Sequence, residues 1–177
     1  EYYIFEEDVT GRRIRDALVE RAKAGVKVRL LVDGVGTSLS SNFLAPLFAE
    51  GAEFARFNPL RLGRLLPRIN MRNHRKIAVI DRCTGYVGSQ NLANAMFVAG
   101  FPNRELVARV EGPVVAHLEG VFASDWYIET GQRLQVQANL PPSHDNVAMQ
   151  LLPSGPAYPF ENARDTVNAL IHAAQRK

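Results

Sequence analysis

The spacing of apolar positions divides the chain into short segments that predict a mixed α/β domain. Residues 1–5, EYYIF, read as a strand. The acidic EEDVTG that follows predicts a turn into a helix over 11–24, where Ile14, Ala17, Leu18 and Ala22 keep helical spacing. Gly25 stops that helix, and the β-branched run over 26–33 predicts a strand bounded by Gly34 and Gly36. A βαβ unit with parallel strands is the simplest reading of these three segments. A short helix over 42–50 closed by Gly51 and a strand over 53–57 come next, and then a proline-punctuated stretch to Asn73 that predicts a long surface loop.

The second part of the pattern differs. HRKIAVID (74–81) and GYVGSQN (85–91) are apolar-rich runs separated by the turn residues RCTG, which predicts a hairpin. One more strand over 105–112 precedes a helix that starts at Pro113 and runs to about 128. Residues 132–146 are polar and carry prolines, as a linker would. VAMQLLPSGP and FENARDTVNALIHAAQRK then predict strand, turn and amphipathic helix. The expected fold is a mixed, largely parallel sheet flanked by helices.

Composition narrows the class. A chain of 177 residues that is 46% hydrophobic can bury one ordinary core, which excludes a disordered polymer. Cys83 is the single cysteine, so there is no intrachain disulfide and no thiolate metal site. No apolar run reaches the roughly 20 residues a membrane span needs. The first residues show neither an initiator Met nor a basic leader, and the expectation is a piece of a longer chain. The net charge of +3 is mild but uneven. Between Glu53 and Asp81 there is no acid, while Arg56, Arg61, Arg64, Arg68, Arg72, Arg75 and Lys76 all fall inside. Such a segment attracts phosphate, lipid headgroups or nucleic acid. Leu60, Leu62, Leu65 and Leu66 within it suit either dipping into a lipid surface or anchoring a solvated loop.

The chemistry lies in His74, Lys76, Asp81, Gly88, Ser89 and Asn91, arranged as HxKxxxxDxxxxxxGSxN. At ordinary residue usage a six-position match arises by chance on the order of once in a million chains of this length. His74 and Lys76 stand two apart on an expected strand, so both side chains leave one face, and Ser89 and Asn91 repeat the relation on the paired strand. Four converging polar groups are costly unless a ligand uses them. A phosphodiester fits: an imidazole attacks phosphorus while an ammonium, a hydroxyl and an amide hold the other oxygens, with no metal and no cofactor required. Asp81 has the opposite parity and falls at the turn, so it is expected to fix the turn or pair with a nearby base. The bland account of the cluster is a polar hairpin edge around a satisfied core histidine.

These residues resemble the HKD motif of the phospholipase D superfamily. The flanking segments YYIFEEDVTGRRIRDALVERAKAGVKVRLLVDGVG, NHRKIAVIDRCTGYVGSQNLAN, NRELVARVEGPVVAHLEGVFASDW and LLPSGP are most similar to the first catalytic half of bacterial cardiolipin synthases. The resemblance implies a phospholipase D-like half-domain and catalytic roles for His74, Lys76 and Asp81. It further implies a phosphohistidine made by one HKD histidine, with that of a second motif protonating the leaving alcohol. An acid about thirty positions after the histidine, here Glu105, is implied to orient a catalytic imidazole. Only one HKD motif is present, since His117, His144 and His172 lack a Lys two residues on. The expectation is a first half over 1–130 without its opening strand and helix, a linker over 131–146, and the opening strand and helix of a second half over 147–177. Isolated activity is then expected to be absent or very weak.

The implied activity is transphosphatidylation between two phosphatidylglycerol molecules, releasing glycerol. The expected partners are that phospholipid, an anionic membrane surface and a second HKD half from the same chain or a dimer mate. The expected place is the cytoplasmic face of a bacterial inner membrane, held peripherally, and nucleic acid is not the expected partner. A phospholipase or nuclease with water as acceptor is the alternative within the superfamily, and a silent anionic-lipid or nucleic-acid binding module the alternative outside it. Of the remaining residues, Asp33 beside Gly34 reads as a turn cap and His117 as a packing or surface residue. Trp126 reads as a core aromatic near a helix end.

Overall fold

The structure is a computed structural model that describes residues 1–59, 72–94, 104–136, 140, 142, 147–155, 158 and 160–176. In chain order it holds α1 (Val9–Lys23), β1 (Arg29–Asp33), α2 (Ser41–Ala49), β2 (Glu53–Phe57), β3 (Ile77–Ile80), β4 (Thr84–Gly88), β5 (Val107–Glu111), α3 (Val114–Thr130) and α4 (Asn162–Ala173). Asp8 caps α1 by accepting from the Gly11 amide at 2.8 Å, and Ser40 caps α2 through the Phe43 amide at 3.1 Å. Gly25 and Gly131 follow α1 and α3 with φ of 86° and 72°, the left-handed conformation that ends a helix without strain.

Two sheets form. β1 and β2 pair in parallel from Arg29↔Glu53 to Asp33↔Phe57. β3, β4 and β5 form an antiparallel meander in which Ile77 faces Val87 and Thr84 faces Glu111. The expected hairpin is present, but the expectation of a largely parallel sheet holds only for the β1 side. A turn of three residues at 81–83 joins β3 directly to β4, and a connection that short permits only an antiparallel pair.

The N-terminal residues join the two sheets. Tyr2 pairs with β1 (Tyr2 N to Leu31 O 3.1 Å, Asp33 N to Tyr2 O 3.1 Å). On its other side the segment pairs with the start of β3 and the chain just past β4, through Ile77 N to Glu1 O at 2.9 Å and Leu92 N to Ile4 O at 3.0 Å. Residues 1–5 therefore act as the central strand, although only Tyr2 and Phe5 make formal bridges.

Parity then sorts the core. Leu30 and Val32 point to one face, where they pack with Phe5, Val19, Phe43, Leu44 and Leu47 under α1 and α2. Leu31 points to the other, against Phe57 and Trp126. A strand buried on both faces needs an unbroken apolar run, and LLV supplies it. Along α3, Val115, Leu118 and Val121 cover Ile77 and Val110 of the antiparallel sheet, while Trp126 reaches the parallel one. Gly85 makes the close approach possible: a Cβ there would lie 2.6 Å from Leu118 Cδ1.

Residues 147–155 run without a sheet partner among the described residues, in place of the expected strand. Leu151 and Tyr158 nevertheless pack against the Ile77 cluster. No residue of α4 is buried.

Candidate active site

His74 precedes β3, on the stretch of chain that lies across the central segment. Its imidazole stacks on the Tyr3 ring, with centroids 3.8 Å apart and planes 28° from parallel. The Lys76 ammonium donates to the His74 carbonyl at 2.7 Å, stands 3.5 Å from His74 Nδ1 and lies 5.5 Å from the Tyr3 ring centre. Burial, and next the Lys76 charge, hold the His74 pKa below its ordinary 6.5, with the Asp33 carboxylate opposing. The imidazole is therefore neutral at neutral pH, the form with a lone pair to donate. Burial also lowers Lys76, opposed by the carboxylate of Glu105.

The chain on either side of His74 is pinned by two buried acids. Asp33, 1% exposed, accepts from the Val35 and Gly36 amides at 2.8 and 2.9 Å, which folds the turn after β1. Its second oxygen accepts from the Asn73 amide at 3.1 Å, and Arg72 reaches the first at 3.3 Å. Asp125, fully buried on α3, accepts from Asn73 Nδ2 at 2.9 Å and pairs with the Arg75 guanidinium. Desolvation, with Glu1 nearby and Arg75 opposing, raises the Asp125 pKa to about 7. Its Oδ1 has no partner among the described residues, the site a proton would occupy. Arg75 also donates to Ser154 O at 2.5 Å and packs over Tyr158.

Ser89 and Asn91 have partners of their own. The Ser89 hydroxyl donates to Glu105 and accepts from the Leu106 amide at 2.9 Å. Asn91 is 6% exposed, and its Oδ1 accepts from the Ile4 amide at 3.1 Å, which leaves its amide N–H end without a partner among the described residues. β4 ends at Gly88, so Ser89 and Asn91 leave the ladder, and the strict two-residue parity that put all four side chains on one face stops there. Asp81 lies at the far end of β3 from His74, in the turn, at φ 51°. Its exposed carboxylate makes no hydrogen bond or ion pair among the described residues, so the expected pairing with a base is absent. Seven residues of extended chain, roughly 23 Å, separate it from His74. Glu105 reaches Ser89 and is not in contact with His74.

The basic run resolves in part. Residues 60–71, with Arg61, Arg64, Arg68 and the four leucines, lie outside the described residues, as does His144. The described members are engaged internally: Arg56 donates to Thr37 O and Leu39 O at 3.0 Å each, and Arg72 donates to Asn58 O at 2.7 Å. Arg75 is committed to Asp125 and Ser154, so for these three arginines the lipid-surface role gives way to internal bracing. Trp126 is a core residue, with Nε1 donating to Gln132 at 2.9 Å, and His117 and Cys83 are exposed.

Residues 1–126 match the family described as cardiolipin synthase, PLD-like domain. The chain belongs to that family. Among curated members of the cardiolipin synthases it is 37% identical over 185 residues to the enzyme of Geobacillus kaustophilus, covering 99% of this chain and 37% of that protein. Cardiolipin synthase 1 of Bacillus cereus is 33% identical over 190 residues, and cardiolipin synthase A of Proteus mirabilis 33% over 193. The chain thus spans about 37% of the length of the curated cardiolipin synthases it matches. Among solved structures, NUC of Salmonella typhimurium, a phospholipase D family member, has the same fold at a TM-score of 0.52 and 20% identity. The overlap covers 75% of this chain and 78% of that one.

Sequence reasoning reached His74 and Lys76 through their spacing. It missed Tyr3, Asn73, Arg75 and Asp125 as parts of the site, and took Asp33 only as a turn cap. Asn73 and Arg75 flank His74 in the chain, but the partners that give them a role, Asp33 and Asp125, meet the motif across sheet and helix boundaries, as Tyr3 does.

Proposed function

We propose that this chain carries one catalytic half-site of a cardiolipin synthase, with His74 as nucleophile. The observation that carries the reading is the neutral, stacked imidazole held beside the Lys76 ammonium. An imidazole nitrogen attacks the phosphorus of phosphatidylglycerol, a P–N bond forms, the P–O bond to glycerol breaks, and the departing oxygen takes a proton from an acid outside this half. The hydroxyl of a second phosphatidylglycerol then attacks phosphorus, gives its proton to the conjugate base of that acid, breaks the P–N bond and returns the neutral histidine. Lys76 neutralises charge on the non-bridging oxygens. Ser89 and the free N–H end of Asn91 complete the grip, and Glu105 sets the Ser89 hydroxyl. Asp81 keeps the hairpin turn and takes no direct part.

Residues 1–130 form the first half, 131–146 a linker, and 147–177 the opening segment and helix of a second half that supplies the acid histidine, from the same longer chain or a dimer mate. Support comes from the family match ending at Trp126 and from the single HKD motif within about 37% of the relatives' length. The enzyme works on an anionic bilayer, peripherally at the cytoplasmic face of the inner membrane.

The test uses the full-length enzyme with vesicles of phosphatidylglycerol. Cardiolipin and glycerol are expected as products, with an acid-labile phosphorylated His74 trapped on quenching and none of these in His74→Ala. Phosphatidic acid without cardiolipin would show water as acceptor and overturn the synthase reading. An unchanged rate in His74→Ala would overturn the nucleophile.

A further inference from the structure

The Tyr3 ring lies against both the His74 imidazole and the Lys76 ammonium, and nothing in the motif accounts for it. It covers one face of the His74 imidazole at 3.8 Å while the residue is otherwise open to solvent, and the Lys76 ammonium sits 5.5 Å from the same ring. The ring is itself gripped. A Cβ on Gly36 would lie 2.6 Å from Tyr3 O, 2.8 Å from Cε2 and 2.9 Å from Cζ, so this position has room for glycine alone. The Thr37 hydroxyl donates to Tyr3 O at 2.8 Å and accepts from the Phe5 amide at 3.0 Å. One carboxylate governs both partners of the stack: Asp33 folds the 33–36 turn that clasps Tyr3 and holds the Asn73 amide that leads into His74.

We infer that Tyr3 is a positioning residue, an aromatic floor that fixes the plane of the His74 ring and keeps water off one of its faces so that the imidazole is set for in-line attack. The inference rests on His74 being the nucleophile. An imidazole on an exposed stretch turns freely about its last torsion, whose wells are broad. A stacked partner removes that freedom before substrate arrives, and misplacement of a reacting group is expensive in rate. The aromatic face is what matters, and the phenol oxygen is dispensable.

The experiment compares Tyr3→Phe and Tyr3→Leu in the full-length enzyme, reading kcat, KM and the pH dependence of His74 modification by diethyl pyrocarbonate, which reacts with neutral imidazole whether or not turnover occurs. Tyr3→Phe is expected to match the parent in all three. In Tyr3→Leu, kcat is expected to fall roughly tenfold with KM nearly unchanged. The pH at which His74 becomes reactive is expected to rise, because uncovering the ring lets water stabilise the imidazolium. Leu and Phe variants alike in kcat and in the His74 titration would overturn the proposal. Should the Leu variant melt, the parent enzyme labelled with 13C-histidine decides: the His74 ring resonance, assigned by its loss in His74→Asn, is expected upfield from the stacked ring current. An unshifted resonance would overturn the stack, whereas absence of a trapped phosphohistidine beside a shifted resonance would sink only the nucleophile reading.

Discussion

The stretch 72–76, in which every side chain is polar, and helix α4, half of whose residues are apolar, are treated in opposite ways. In 72–76 nearly every polar group is spoken for: Asn73 and Arg75 end on buried Asp125, Arg72 and the Asn73 amide on buried Asp33, and Lys76 on the His74 carbonyl. Along α4 the apolar residues Val167, Leu170 and Ile171 are 52%, 65% and 65% exposed, and no cover for them lies among the described residues. Amphipathic spacing sufficed to form a helix in α4 but does not bury it. In 72–76 no regular element forms at all, yet the chain is fixed, because a buried acid held on two sides constrains more than a local hydrogen-bond ladder does.

Removing an anchor tests this contrast most severely. Asp125→Ala leaves the Arg75 guanidinium without its counter-ion in a mostly buried place, and about 3–5 kcal/mol of stability should be lost in denaturant melts. A loss below 1 kcal/mol would mean that the region is held by its backbone alone.

Lys76→Met should lower kcat by roughly a hundredfold, through loss of charge stabilisation at the phosphate. It should also move the acid limb of the pH profile. In the proposed mechanism His74 acts as the neutral imidazole, and its pKa is lowered first by burial and then by Lys76. Removing the second cause raises the pKa, so activity should fall off at a higher pH than in the parent. An acid limb that stays put while the rate falls would separate the charge from the titration.

Gly85→Ala drives a methyl group to 2.6 Å from Leu118 Cδ1 between β4 and α3, and about 1–3 kcal/mol should be lost as α3 lifts. At the other extreme, Leu170→Ser on α4 should change the stability of this chain by less than about 0.5 kcal/mol. A larger loss by calorimetry would show that α4 has found a partner surface within the chain.

Much of the fold could be read in advance where the signal is local. The strand at 53–57 has the bounds its pattern predicts, the hairpin follows from the RCTG turn, and Gly25 ends α1 where a left-handed residue is needed. The HxK pair was legible because two residues on an extended chain share a face. Ser89 and Asn91 show the limit of that rule: it holds only while the ladder continues, and β4 stops at Gly88. The arginines show another limit. A run of positive charge looks like a surface for anions until the acids and carbonyls that neutralise it arrive from elsewhere in the chain, as they do for Arg56, Arg72 and Arg75. Tyr3 and Asp125 were invisible for the same reason, since no spacing in a sequence connects position 3 to 74 or 75 to 125.

The placement of residues 1–5 between the two sheets has a kinetic consequence. Its bonds to Ile77 and Asn91 close loops of 76 and 87 residues. Contacts that distant pay their closure entropy before they are rewarded, so they form late. The α1 and α2 layer on β1 and β2 and the β3–β5 meander are each nearly local and should appear first as separate units. Tyr3 meets His74 only when the central strand zips the two together. Assembly of the Tyr3–His74 stack is thereby tied to the last step of folding, and a half-folded chain holds the motif without holding the site.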